Sequence, residues 1–129
     1  MRLFSWNVNG VRAATKKGLF EWLEHESPDI LCIQETKAHV DQLGSEILND
    51  HGYNAYWHSG ERRGYSGVAT FCKNEPLYVQ EGLGIDKYDV EGILIRLSLI
   101  SMMECKITHQ FILGYVFLKM KKLSLKIMY

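Results

Sequence analysis

The chain has 129 residues, of which 47% are apolar and 23% charged, with 15 basic and 15 acidic side chains. This length predicts one domain, and the composition excludes a disordered tail or a collagen-like repeat. The formal net charge of zero excludes the global positive field that is typical of many proteins binding nucleic acid or membranes, so any polyanion must be held locally.

Cysteine usage and the N-terminus indicate a cellular compartment. The three cysteines, Cys32, Cys72 and Cys105, are widely spaced and form no CxxC pair. We therefore expect neither a disulfide framework nor a zinc site, and interpret them as small core side chains. Asn7 comes too early for a signal peptide, and no apolar run is long enough for a membrane span. The sequence predicts a cytoplasmic protein with no membrane partner.

The charge is unevenly distributed along the chain. Residues 1–96 have a net charge of −4 and residues 97–129 have +4, and the second segment contains four of the five methionines and only one of the eleven glycines. Without turn-forming residues, 97–129 is atypical of a natural α/β domain. We interpret it as an apolar and basic tail, frameshifted by an interruption of the gene. A diverged natural end and an amphipathic segment are the alternatives.

The first predicted elements alternate between strand and helix. Alternating apolar residues predict a strand over Leu3–Val8, and apolar spacings of three and four predict a helix over Val11–Glu24. A short apolar run predicts a strand over Asp29–Gln34 that is buried on both faces. A second helix is predicted over Val40–Asn49. This order of elements favours neighbouring parallel strands at the start of the chain.

Four more strands are predicted after residue 52. They are joined by glycine-bearing loops without crossover helices, so consecutive strands should pair antiparallel. The expected fold class is α/β with a mixed sheet. These strands are Tyr53–His58, Gly67–Lys73, Leu77–Glu81 and Ile93–Leu99.

Two polar side chains follow the first two predicted strands. Asn7 and Glu35 lie at or just past the strand ends, where loops gather around a ligand in an open α/β sheet. A carboxylate with an amide oxygen suits Mg²⁺, a hard cation that keeps several of its waters. Each residue also has an ordinary alternative, a turn-capping asparagine and a solvated glutamate.

Other positions could contact an anion. Lys37 could balance the charge of Glu35 or contact a phosphate, and Arg12 opens the first predicted helix, where backbone amides attract phosphate. Loop 61–67 combines two arginines with Tyr65, which could hold a nucleic-acid backbone and stack on a sugar or base. The alternatives are solvated surface side chains and a polar hairpin turn.

Four motifs follow one another within about residues 1–95. They are FSWNVNG from Phe4, followed by Arg12-Ala13; PDILCIQETK from Pro28; GYSGVA from Gly64; and GLGI from Gly82 with DVEG from Asp89. Together they resemble the N-terminal portion of the exonuclease III family of apurinic/apyrimidinic endonucleases. One such motif alone would be weak, whereas four in this order are specific.

The resemblance implies the N-terminal part of a four-layer α/β sandwich, with two mixed β-sheets flanked by helices. It implies a divalent-metal DNA phosphodiesterase of base-excision repair, with the activities of an apurinic/apyrimidinic endonuclease and a 3′–5′ exodeoxyribonuclease. Its partner would be double-stranded DNA with abasic sites or 3′ ends. Glu35 and Asn7 would hold Mg²⁺ or Mn²⁺. The residues implied to support the metal or contact DNA are Asn9, Arg12, Lys37 and Tyr65.

The resemblance ends near Gly92. The segments that carry the family's catalytic tyrosine, its water-handling aspartate and its aspartate-oriented histidine are not found in the sequence, so the chain holds no complete catalytic set. The alternative expectation is therefore an inactive fragment that binds DNA or a partner weakly. Family members are monomers, but an exposed sheet face would favour aggregation or complementation of this fragment.

Overall fold

The computed structural model describes residues 1–49, 51–82, 84–90, 92, 95–101, 105–112, 115–117 and 124–128. These residues form two β-sheets with short helices between the strands. None of the helices in these ranges is long and apolar enough to cross a membrane.

Strands alternate with helices in the first half of the chain. The strands are β1 (Arg2–Asn7), β2 (Ile30–Gln34), β3 (Asn54–His58), β4 (Val68–Cys72), β5 (Tyr78–Glu81), β6 (Ile95–Ser101), β7 (Cys105–Ile112), β8 (Tyr115–Phe117) and β9 (Ser124–Met128). The helices are α1 (Val11–Thr15), α2 (Leu19–Glu26), α3 (Ser45–Leu48) and α4 (Asp86–Asp89), with a 3₁₀ turn over Val40–Gln42.

The first sheet is mixed, as predicted, with the strand order β3-β4-β2-β1-β9. β1 is parallel to β2, and β4 is antiparallel to both β2 and β3. In the parallel pair Asn7 lies opposite Gln34, so both strands end at the same edge of the sheet. The second sheet, β5-β6-β7-β8, is antiparallel throughout. The prediction that consecutive strands after residue 52 pair antiparallel was wrong for β4 and β5, which lie in different sheets.

One face of the first sheet packs against helices. Successive strand residues point to opposite faces, and on this face the apolar side chains meet those of α2. Phe71 is fully buried and makes edge-on contacts with the rings of Phe20 and Trp57. The cluster also contains Phe4, Leu19, Leu23, Leu31, Ile33 and Ala69.

The opposite face of the first sheet meets the second sheet. Leu3, Ile30 and Cys32 form a second buried cluster there with Ile95 of β6, and Val79 of β5 packs against it. β2 is buried along its whole length, as its apolar run predicted. Two buried layers therefore hold β1 and β2 in place.

The prediction that the cysteines are small core side chains is confirmed for two of them. Cys32 and Cys72 are free, buried thiols. Burial raises the pKa of Cys72 to about 12, and burial, with the nearby Cys72, raises that of Cys32 as well. Both therefore stay protonated and behave as small apolar side chains. The side chain of Cys105 lies outside the part that the structure describes.

The prediction of one continuous helix over Val11–Glu24 was wrong. The structure has two helices, α1 and α2, separated at Gly18, which adopts a left-handed conformation with φ of 90°. The apolar spacing continues across the break, so periodicity alone did not reveal it. A glycine reaches this conformation at low cost and therefore allows the chain to turn.

The predicted helix over Val40–Asn49 was also wrong. Leu43 and Gly44 are extended and separate the 3₁₀ turn from α3. The predicted strands up to Glu81 were correct to within one residue at each end. For the predicted strand over Ile93–Leu99, the structure has β6, while Ile93 and Leu94 lie outside the described residues. The short helix α4 was not predicted.

Candidate functional site

The site begins where the parallel strands β1 and β2 end. Asn7 is the last residue of β1, and Glu35 directly follows β2. The Asn7 Nδ2 donates a hydrogen bond to Glu35 Oε1 at 3.0 Å. The structure therefore brings together the two side chains that the strand ends predicted to be neighbours.

Two further side chains close these into a ring, which we call the polar ring (Asn7, Asn9, Glu35 and Lys37). The Lys37 ammonium lies 3.1 Å from Glu35 Oε2 and also donates to Asn9 Oδ1. The backbone amide of Asn9 donates to Asn7 Oδ1 at 3.0 Å. Each member is thus held by two others.

The backbone of the polar ring is strained at three positions. Asn9, Glu35 and Lys37 have φ values of 48°, 53° and 51°. Asparagine tolerates this left-handed region, but for glutamate and lysine each such conformation costs on the order of 1–2 kcal/mol. Strain of this kind persists only where the surrounding structure holds it, and it clusters at functional sites.

Main-chain hydrogen bonds from neighbouring segments hold the strained residues. The amides of Gly10 and Val11 donate to the carbonyl oxygens of Glu35 and Thr36 at 2.7 and 2.9 Å. On the other side, the Lys37 amide donates to the Ser66 carbonyl oxygen at 2.8 Å. The loop after β2 is therefore fixed between the start of α1 and the loop before β4.

Close approach of the loop before β4 requires a glycine at position 67. Gly67 accepts a hydrogen bond from the Thr36 amide at 3.0 Å and has φ of 87°. A Cβ at this position would collide with Thr36 Oγ1. Thr36 is buried, and its hydroxyl has no hydrogen-bond partner among the described residues. Thr36 was not predicted as a site residue, because a polar side chain in a loop suggests no specific role.

Electrostatics keep the Glu35 carboxylate ionised. The hydrogen bond from Asn7 is the main reason that the pKa of Glu35 lies below its usual value, and the hydrogen bond and charge of Lys37 lower it further. Slight burial acts in the opposite direction. The side chain is 42% exposed, so the carboxylate is both charged and accessible.

The oxygens of the polar ring suit a hard cation. Asn7 and Asn9 line a cleft of about 300 Å³ beside α1, together with Trp6 and Lys17. One carboxylate and two amide oxygens can give part of the shell of Mg²⁺ or Mn²⁺, with water completing it. In the described ranges no three His, Cys, Asp or Glu side chains cluster as metal ligands. The donor set fits a hydrated cation better than zinc.

Arg12 and Tyr65 lie beside the polar ring and not in it. Arg12 is exposed on α1. The amides of Gly10 and Val11 just before it donate to carbonyl oxygens of the loop after β2, so these two amides are not free to bind phosphate. Tyr65 is 50% exposed on the loop before β4, and the Arg62 guanidinium lies 5.4 Å from its ring centroid.

A lysine missed by the sequence analysis lines the same cleft. Lys17 stands in the turn between α1 and α2, where its amide donates to the Ala14 carbonyl oxygen. The predicted continuous helix placed it among surface side chains. The glycine that follows it, Gly18, is the feature from which the turn could have been recognised.

These observations define a class of structure, namely an α/β fold with a polar site at the ends of two parallel strands. Residues 4–106 match the profile of the Endonuclease/Exonuclease/phosphatase family, and the chain belongs to this family. The resemblance drawn from the four motifs is confirmed by relatives with DNA-repair names.

Three relatives illustrate the match. The exodeoxyribonuclease of Bacillus subtilis is 46% identical over 99 residues, which cover 76% of this chain and 38% of that protein. The DNA repair nuclease APEX1 of Danio rerio is 46% identical over 97 residues, covering 74% and 31%. The solved AP endonuclease from Archaeoglobus fulgidus has a TM-score of 0.62 and 33% identity, covering 74% and 35%.

The similarity to solved structures confirms the predicted α/β fold class. The chain corresponds to the N-terminal portion of that fold. The chain spans about a third of the length of the curated relatives above. The division into residues 1–96 and 97–129 stays a prediction, as do the roles of the individual site residues.

Proposed function

We propose that this chain supplies the cation-binding and phosphate-binding part of a DNA repair nuclease that hydrolyses DNA phosphodiesters with a divalent metal. The observation that carries the proposal is the polar ring at the ends of β1 and β2, in which an ionised, partly exposed carboxylate is hydrogen-bonded to Asn7, and Asn7 lines a cleft. The names of the relatives, exodeoxyribonuclease and DNA repair nuclease, support the same reaction class.

Glu35 and Asn7 are the residues that would hold Mg²⁺ or Mn²⁺. Bound there, the ion would supply Lewis-acid stabilisation of charge at the scissile phosphate and leaving oxygen. Asn9 orients Asn7 through its backbone amide. Lys37 and Arg12 would contact phosphate, and their positive charge would favour a polyanion.

The proposed substrate is double-stranded DNA with abasic sites or 3′ ends, the substrate of base-excision repair. Tyr65 would contact this DNA from the loop before β4, where the Ser66 carbonyl oxygen is bonded to the Lys37 amide. An exposed aromatic ring with an arginine over it can stack on a sugar or base. The cytoplasmic location and the monomeric state stay predictions.

Manganese binding tests the proposed site. We would follow free Mn²⁺ by electron paramagnetic resonance in solutions of the 129-residue chain, and compare it with Glu35→Gln. Removing the single charged ligand should weaken binding by at least about tenfold. Glu75→Gln, which neutralises an exposed carboxylate away from the ring, is the matched control. Equal affinity of the wild-type chain and Glu35→Gln would refute the site.

A second candidate is that these 129 residues by themselves bind DNA without cleaving it. The polar ring contains one carboxylate, and that carboxylate is already paired with Lys37. Hydrolysis also needs a group that takes a proton from the attacking water. When an abasic duplex is incubated with the purified chain and Mg²⁺, the duplex should therefore be bound and remain uncut. Cleavage that disappears in Glu35→Gln would exclude this candidate.

A further inference from the structure

The ammonium group of Lys37 lies among the oxygens that we propose as metal ligands. It is 3.1 Å from Glu35 Oε2 and donates to Asn9 Oδ1. The other carboxylate oxygen, Oε1, accepts from Asn7 Nδ2. A positive charge belonging to the chain itself therefore already neutralises the carboxylate.

A divalent cation bound at Glu35 Oε2 would lie close to the ammonium group, and their like charges would repel at short distance. The ion pair is also open to solvent, since the side chains of Lys37 and Glu35 are 36% and 42% exposed. Exposed ion pairs are weak, so a divalent cation can replace the ammonium group.

The backbone determines which part of Lys37 is able to move. Its amide is fixed to the Ser66 carbonyl oxygen, and its φ of 51° is held by that contact. The side chain beyond Cα is a flexible four-carbon stem that ends in a compact charge. Displacement would thus shift the ammonium group and leave the loop after β2 unchanged.

We propose that Lys37 is a built-in counter-cation, which occupies the polar ring in the absence of metal and leaves it when a divalent cation binds. The inference rests on the proposed function of the ring. While it is in place, the ammonium group offsets the negative charge of Glu35 and holds Asn9 in position. Once displaced, it remains tethered beside the cleft, where an anionic phosphate can bind it.

Manganese affinity of three variants tests the displacement. In Lys37→Met the competing charge is gone, so Mn²⁺ should bind about two- to fivefold more tightly than in the wild-type chain, the range that an exposed ion pair represents. Lys37→Arg keeps the charge and should stay closer to the wild type. Lys17→Met is the matched control, because Lys17 lines the same cleft as Asn7 and Asn9 and removal takes away the same charge.

The possible outcomes separate this inference from the proposed function. Tighter binding by Lys37→Met than by Lys17→Met supports the displacement. Equal tightening in both variants would overturn it, because the effect would then be one of general charge, and so would weaker binding by Lys37→Met. If the wild-type chain binds Mn²⁺ and Glu35→Gln does not, the proposed function survives either result. Failure of the wild-type chain and of Lys37→Met to bind Mn²⁺ would overturn both proposals.

Discussion

Glu35 shows how neighbouring side chains set the charge of a partly exposed group. Its carboxylate accepts a hydrogen bond from Asn7 and an ion-pairing contact from Lys37. Both favour the charged form, and together they outweigh the small effect of burial on the pKa. The carboxylate of Glu35 therefore stays ionised at neutral pH without a metal.

We predict that Asn7→Leu and Lys37→Met each raise the pKa of Glu35 towards its usual value. The hydrogen bond from Asn7 is the largest single cause of the lowered pKa, and Lys37 contributes a hydrogen bond and a charge. The measurement is a nuclear magnetic resonance titration of the Glu35 side-chain carboxyl carbon from pH 2.5 to 7, a range spanning the usual glutamate value of about 4.3. An unchanged pKa of Glu35 in either variant would contradict the prediction.

The direction of the pH dependence follows from the same contacts. The pKa of Glu35 is lower in the folded chain than in the unfolded chain. Its contribution to the free energy of unfolding is therefore present above the unfolded value, about pH 4.3, and is lost as the pH falls through the folded pKa. Glu35→Gln should show less loss of stability between about pH 5 and 3 than the wild-type chain, measured by thermal unfolding, while Glu75→Gln should lose as much.

Individual site residues could be predicted from the sequence only where their position on an element was clear. Asn7 and Glu35 follow strands whose apolar runs are plain, and parallel strand ends bring them together. The left-handed conformations of Glu35 and Lys37 could not be predicted, because neither residue type favours them. They are imposed by hydrogen bonds from segments distant in sequence, such as the bond from Lys37 to Ser66.

At the scale of elements, the loop before β4 is positioned by a contact that only glycine permits. Gly67 and Gly64 both have positive φ values, 87° and 75°. A Cβ at position 64 would meet no atom within 4 Å, whereas one at position 67 would collide with Thr36 Oγ1. Substitutions at these two positions therefore distinguish the cost of backbone strain from the cost of a steric collision.

We predict that Gly67→Ala destabilises the chain more than Gly64→Ala does. Backbone strain costs each variant about 1–2 kcal/mol, and Gly67→Ala also forces Thr36 to move. The midpoints of urea unfolding measure the difference. In the background of Thr36→Ala, the excess cost of Gly67→Ala should disappear. Equal midpoints for the two single variants would show that the collision is relieved at no cost.

Phe71 joins β4 to the helices that cover the first sheet. It is fully buried, with its ring 5.9 Å from that of Phe20 and 5.7 Å from that of Trp57. We predict that Phe71→Ala costs about 3–5 kcal/mol and abolishes the near-ultraviolet circular dichroism of the packed aromatic rings. Phe71→Leu, which keeps most of the volume, should retain much of that spectrum. A native spectrum for Phe71→Ala would contradict this packing.

Strands could be predicted more accurately than helices, for a physical reason. β2 and β4 are buried on both faces, so their apolar runs are continuous and their ends are marked by polar residues. The helical periodicity of residues 11–24 persisted through the turn at Gly18. Single glycines break helices through backbone conformation, which apolar spacing does not report.

On the scale of the whole molecule, the two faces of the first sheet are covered unequally. The helical side has a cluster of thirteen buried residues. The other side is covered, among the side chains that the structure describes, mainly by Ile95 and Val79 of the second sheet. Apolar area removed from water is the main source of stability, so among the described side chains the second face contributes less.

We predict marginal stability for the 129-residue chain. Because few of the described side chains join the two sheets, urea unfolding of the purified chain should be broad, with a slope below about 1 kcal/mol per molar urea, whereas small cooperative proteins give about 1–3. Coincident, steep transitions by fluorescence and circular dichroism would contradict it. The incomplete sandwich that the resemblance implies led to the same expectation. The pairing of strands in the second sheet could not be predicted, because residues 97–129 contain few turn-forming residues.

The left-handed backbone at positions 35 and 37 sets stability and ligand binding against each other. Glycine at either position would relax the main chain, yet it would delete the carboxylate or the ammonium group. Selection for heat resistance alone would favour glycine at these positions, and each such substitution would impair the site. Any thermostabilised version of this protein should therefore be designed with these two residues held constant.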